Sequence, residues 1–206
     1  MHNYEYIVAS LPDIAAGWKF GERTPKDYIE EIEALCDKKD VELIEFLQGG
    51  LEGKDLDAAF YEKALAHKNS FIRKYFAFDL NLRNAKVRYL NKALSRPADK
   101  DTITLLSSNG DVRSEQDGFE ESARLDSVLA AGDILSRERG LDDLMWDKID
   151  ALTTFNYFDI NKILAFVAKL NIVARWFKLD EQTGRELFKK LVDEVRGTFK
   201  GVEYDA

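Results

Sequence analysis

Residues 69–96, NSFIRKYFAFDLNLRNAKVRYLNKALSR, decide the fold class. Phe71, Tyr75, Phe78, Leu82, Ala85 and Tyr89 recur at alternating spacings of four and three residues, which keeps one apolar stripe facing a neighbouring helix. Ile72, Phe76, Leu80, Val87, Leu90 and Leu94 lie off that stripe. The helix is therefore apolar around much of its circumference and is expected to pack on more than one side. With Ser70 as its cap and Pro97 as its stop, it would run about 35–40 Å at ~1.5 Å per residue.

The chain before this helix reads as a series of shorter ones. Residues 4–11 are apolar and are stopped by Pro12; helix is the expectation, although the β-branched and aromatic content also suits a strand. Thr24-Pro25 opens the next helix, since Thr caps free backbone N–H groups and Pro fits the first turn, and Tyr28, Ile29, Ile32 and Leu35 mark its apolar face. Asp40 should open another, which Gly49-Gly50 would end through a left-handed turn. A further helix spans about residues 56–67.

After Pro97 the pattern breaks. Residues 97–118 read as an acidic loop or a small hairpin, with Ser108-Asn109-Gly110-Asp111 as the turn signal. Helices are expected again over residues 119–137, 141–152, 155–177 and 181–199, with Gly140 separating the first two and Asp180 capping the last. The expected fold is all-α, with an N-terminal helical half (1–96) and a C-terminal helical half (119–206) built around long amphipathic helices.

The two long helices echo each other. Phe78-Asp79-Leu80-Asn81 matches Phe158-Asp159-Ile160-Asn161 at a constant offset, followed by Ala85 with Ala165, Val87 with Val167 and Leu90-Asn91 with Leu170-Asn171. This pattern suits either an internal repeat or two amphipathic helices alike by chance. Asp79, Asn81, Asp159 and Asn161 lack carboxylate partners three or four residues on, so they read as polar contacts between helices rather than metal ligands.

Composition excludes several classes. The chain has 45% apolar and 33% charged residues and only three prolines, which suits a globular helical protein. A formal charge of −8 argues against a nucleic-acid partner. The charge is uneven: from Pro97 to Asp126 eight acids face only Lys100, Arg113 and Arg124, whereas the stretch from Lys162 to the end leans basic through Lys162, Lys169, Arg175 and others. That basic surface reads as solvated lysines or as a dock for an acidic protein. Arg83, Asn84 and Arg88 on the long helix, with Lys162 and Arg175, are the candidate partner-binding residues.

The single Cys36 and only two histidines, His2 and His67, cannot build a zinc site or an internal disulfide, which points to a reducing compartment. Cys36 reads as a packed thiol. His67 closes a helix, where a partial positive charge would suit the dipole. No basic leader opens the sequence and no run of about 18 apolar residues occurs, so a cytoplasmic protein is expected that reaches a membrane only through other proteins. Phosphate-binding glycine loops and metal-binding histidine motifs are absent from the sequence, so no cofactor, no metal and no catalytic residue is expected.

Two stretches carry a family resemblance. Tyr4-Glu5-Tyr6-Ile7-Val8-Ala9-Ser10-Leu11-Pro12-Asp13, followed by helices and the 71–96 segment, resembles an uncharacterised bacterial family encoded beside V/A-type ATPase subunits. Tyr75-Phe76-Ala77-Phe78-Asp79-Leu80-Asn81-Leu82-Arg83-Asn84-Ala85-Lys86 is similar to the acidic-aliphatic-x-Asn-aliphatic-Lys helix motif of the V/A-type ATPase C subunit, called d in eukaryotes; Asn81 stands at the acidic position and Ala85 at an aliphatic one. The resemblance implies a non-catalytic adaptor linking the central rotor shaft to the membrane ring, with those components as partners. The chain is shorter than the usual three-repeat C protein of that assembly. The alternatives are a helical interaction or regulatory module unrelated to the ATPase and a small metal-independent enzyme.

Overall fold

Side-chain caps set where most of the helices begin. A computed structural model describes residues 4–15, 18, 20, 21, 23–53, 56–105 and 121–179. It contains eight helices and no strand among those residues: α1 (Tyr4–Ser10), α2 (Pro25–Leu35), α3 (Lys38–Glu52), α4 (Ala58–Leu65), α5 (Ser70–Ala93), α6 (Ser122–Leu129), α7 (Ile134–Thr153) and α8 (Ile160–Leu179). The all-α class holds.

Thr24 caps α2 as read from sequence. Its hydroxyl accepts the Asp27 N–H at 3.3 Å, while the Asp27 carboxylate accepts the Thr24 N–H at 2.6 Å. Elsewhere the cap falls next to the expected residue. Asp37, not Asp40, opens α3 by accepting the N–H groups of Lys39 and Asp40. Asn69, not Ser70, opens α5 by accepting the Ile72 N–H at 3.0 Å. Asp40 is instead buried within α3, where it accepts a 2.8 Å hydrogen bond from the Tyr4 hydroxyl of α1.

Two glycines that looked like helix breaks are packing positions. Gly50 lies inside α3, and a Cβ there would fall 2.3 Å from the Phe76 ring, so the missing side chain lets α3 approach α5. The left-handed end comes at Gly53, with φ of 72°. Gly140 lies inside α7, where a Cβ would meet Val128 of α6 at 2.7 Å; the chain turns before it, and Asp133 caps α7 through the Ser136 N–H at 2.8 Å. The expected helix at 181–199 and residues 106–118 of the expected loop lie outside the described residues.

The centre of the fold is α8. Ile163, Leu164, Ala165, Phe166, Val167, Ala168, Leu170, Ile172 and Val173 are all buried, and the helix packs on α1, α2, α3 and α7. α7 also packs on α5 and α6, and α4 packs on α5. One core cluster runs from Ile7 to Val173, so the stretches expected to form two halves share their interior. On α5, Phe71, Ile72, Tyr75, Phe76, Phe78, Leu80 and Leu82 are buried, so its first turns are enclosed on both expected sides. Its last turns leave Leu90 and Leu94 exposed.

The echo between the long helices does not extend to equivalent positions. Phe78 and Asp79 lie in the middle of α5, whereas Phe158 and Asp159 precede α8. Phe78 is 3% exposed and Phe158 is 54% exposed. An internal repeat therefore finds no support at these residues. Replacing Phe78 by Ala should cost about 3–5 kcal/mol of stability, whereas Phe158→Ala should stay within about 0.5 kcal/mol. Chemical denaturation of the two variants checks this difference.

Candidate functional site

Three ion pairs from three helices line one cleft. α5 supplies Asp79, Arg83 and Lys86, α7 supplies Glu138 and Asp142, and α8 supplies Arg175, around a space of about 200 Å³. The Arg83 Nε donates to Asp79 at 2.7 Å, Lys86 pairs with Glu138, and Arg175 pairs with Asp142. The i to i+4 step from Asp79 to Arg83 puts both on one face of α5. Leu82, Leu141, Met145 and Ile172 form apolar wall between the pairs.

The carboxylates sit deeper than the cations. The side chains of Asp79 and Asp142 are 13% and 10% exposed, against 44% and 48% for Arg83 and Arg175. Asp79 also accepts the Tyr61 hydroxyl of α4 at 2.6 Å, and Asp142 accepts the Trp176 indole N–H at 2.6 Å. Such buried carboxylates need these partners to stay charged. Burial holds the Asp142 carboxyl above its ordinary range, against the pull of Arg175 and Trp176. Burial and the Asp79 charge push the Tyr61 phenol far up, so it remains a donor.

The expected partner-binding residues divide among three places. Arg83 and Arg175 meet in the cleft. Asn84 and Arg88 instead hold the chain that follows α5: Asn84 donates to the Ile103 carbonyl and accepts its N–H, both at 2.9 Å, and Arg88 pairs with Asp99 at 2.8 Å. Asn84 is only 3% exposed, so it cannot present a recognition face. Asn91, two turns further along the same face, donates to the carbonyls of Ala98 and Lys100. Lys162 lines a second groove of about 230 Å³ with Val8, Leu11, Ile14 and Phe166.

The residues expected to bridge helices also divide. Asp79 joins α5 to α4, and Asn161 at the start of α8 accepts from the Asn69 amide at the start of α5, at 2.9 Å. Asp159 is a cap, accepting the Lys162 N–H at 3.1 Å and binding the Asn156 amide. Asn81 is half-buried, and its side chain has no hydrogen-bond partner among the described residues. No group of three potential metal ligands occurs among those residues.

Three features go beyond the sequence expectations. Tyr75 belongs to the apolar stripe by its spacing, yet it also lines the cleft. Asn91 forms a series with Asn84 and Arg88 at helical spacing, which is a usable signal. The third feature is the turn between α7 and α8, where the pattern predicts helix. Phe155 is 87%, Tyr157 67% and Phe158 54% exposed, and Asp159 ahead of Ile160-Asn161-Lys162 is the cap signal that places them outside α8.

A family model described as "Protein of unknown function (DUF2764)" matches residues 50–198, a range that includes every residue of the cleft and the aromatic turn. No curated protein and no solved structure matches the chain.

The thiol and the imidazole are both structural. Burial, followed by Asp40, Asp37 and Glu33, pushes the Cys36 thiol up to about 11, where it stays protonated and unreactive near neutrality. His67 stacks on Phe46 with ring centroids 5.2 Å apart, and its Nδ1 accepts the Asn69 N–H at 3.0 Å. The helix-end cation expected from sequence is thus replaced by a neutral ring. Desolvation, with Lys63 and Arg73 nearby, lowers its pKa below the ordinary 6.5. The unfolded chain therefore binds the proton first. Stability should fall as pH drops below about 6.5 and level off once the folded imidazole is also protonated. Denaturation midpoints of wild type and His67→Gln across that window check it, because the variant should lose this component of the slope.

Proposed function

The chain belongs to the family described as "Protein of unknown function (DUF2764)", and from that premise we propose that it is a non-catalytic helical adaptor of a V/A-type ATPase. Its partners in this reading are the rotor-shaft and membrane-ring subunits. The resemblance of the Tyr4–Asp13 segment and of Tyr75–Lys86 to ATPase-associated sequences supplies the choice of assembly.

The observation that carries a protein-binding role is the turn between α7 and α8. Phe155, Tyr157 and Phe158 expose large aromatic surface within four residues. A chain that buries its apolar side chains from Ile163 to Val173 of α8 does not gain by leaving three rings in water, and aromatic residues supply the anchors of protein interfaces. The turn is preorganised, because Asp159 binds Asn156 and caps α8. A fixed turn loses little conformational freedom when a partner covers it.

The cleft supports the non-catalytic part of the reading. Each of its acids, Asp79, Glu138 and Asp142, is engaged by a cation, whereas a general base needs a carboxylate free to take a proton. No helix among the described residues is long and apolar enough to cross a membrane. Attachment to the ring is accordingly assigned to protein contacts.

Tagged full-length chain, purified from its native cells, should bring down shaft or ring subunits of the ATPase. Changing Phe155, Tyr157 and Phe158 together to Ser should leave the thermal midpoint within a few degrees and abolish that association. Each anchor is expected to contribute about 2 kcal/mol or more to binding. Recovery of other proteins without any ATPase component would favour the unrelated interaction module.

A further inference from the structure

The cleft contains a polar group that the fold itself leaves unbonded. Tyr75 is 4% exposed as a residue, and its hydroxyl has no hydrogen-bond partner among the described residues; the oxygen itself is not sealed off and opens onto the cleft. Its neighbours show the usual solution: the Tyr4 and Tyr61 hydroxyls donate to Asp40 and Asp79 at 2.8 and 2.6 Å. Tyr75 has no equivalent acceptor. Burial holds its phenol far above the ordinary range, so the O–H proton is retained.

Two guanidinium groups stand at the same cleft with donors to spare. Each has five N–H groups. Arg83 commits its Nε to Asp79, and Arg175 commits one terminal nitrogen to Asp142. Both side chains are about half exposed, at 44% and 48%. The aspartates are less available to a visitor. Oδ2 of Asp79 already accepts from Tyr61 and Arg83, and Oδ2 of Asp142 accepts from Trp176 and Arg175. Oδ1 of each aspartate remains as an acceptor, but the uncommitted N–H groups of the two guanidiniums and the Tyr75 O–H outnumber these two oxygens.

We propose that this cleft binds a carboxylate, seated between Arg83 and Arg175 with the Tyr75 O–H donating to it. A carboxylate matches the planar guanidinium fork through paired N–H···O bonds. The carbon chain bearing it would lie on Leu141, Met145 and Ile172. Asp79 and Asp142 act as positioning residues, since they hold the two guanidinium groups in place before the ligand arrives and reduce the ordering that binding requires. Arg83 and Arg175 stand out separately in the sequence; the fold brings them to one space from α5 and α8.

The same chemistry can come from a Glu or Asp side chain of a bound protein or from a free carboxylic acid. Titration of the full chain with N-acetyl-glutamate N-methylamide and with glutarate separates the sources, followed by NMR of the arginine Nε–Hε groups. Saturable shifts of Arg83 and Arg175 are expected with at least one probe. Binding of the blocked residue supports a protein carboxylate, and binding of glutarate alone supports a free acid.

Tyr75→Phe removes only the hydroxyl. Because that oxygen makes no internal bond, the thermal midpoint should be unchanged while the affinity falls about tenfold. Equal binding of N-acetyl-glutamine N-methylamide, no saturation with either acid, or unaltered affinity in Tyr75→Phe would overturn the assignment. These probes are small, so the result is independent of whether the chain associates with an ATPase.

Discussion

Burial of α8 between Ile163 and Val173 is the constraint from which the rest of the structure follows. From Ile163 to Val173 its only side chains that are not buried are Lys169 and Asn171. Each fully buried aliphatic or aromatic side chain in such a helix contributes about 1.5–3 kcal/mol relative to exposure. Isolated in water, this helix would be an aggregation hazard, so α1, α2, α3 and α7 have to close around it. That requirement draws the first turns of the chain and its later helices into one core.

Charge within so apolar a helix has to be answered locally. Lys169 reaches Asp150 of α7 at 2.6 Å and lies over the Trp146 ring at 4.5 Å. Arg175, one and a half turns on, is answered by Asp142. The second answer has a functional consequence, because it fixes a guanidinium at the edge of a cleft that α5 furnishes with another. At the opposite end of α8, capping by Asp159 leaves the preceding aromatic residues outside the helix and exposed. The proposed ligand site and the proposed protein interface thus arise at the two ends of the same buried element.

Helical class was legible in the sequence because 3.6-residue periodicity is a property of the chain alone. The stripe of α5 and the Thr24 cap of α2 are local and were readable for that reason. Gly50 and Gly140 were not, because a glycine that ends a helix and one that admits a neighbour look alike until the neighbour is placed. Phe76 and Val128 supply that neighbour. The cleft was half legible. Arg83 and Arg175 stood out as charges on apolar helices, but their convergence depends on how α5, α7 and α8 pack, and the unbonded hydroxyl of Tyr75 is invisible without its surroundings. Asn84 and Arg88 looked like a recognition face because sequence does not show that residues 98–103 fold back along α5.

Native-state hydrogen exchange tests the central role of α8 most directly. Amides from Ile163 to Val173 should exchange only through global unfolding, with a free energy equal to that from chemical denaturation, whereas the last turn of α5 near Leu90 should open locally at lower cost. Exchange of the Ile163–Val173 amides through local opening, at a free energy below that of α5 or independent of global stability, would remove α8 from the centre of the fold.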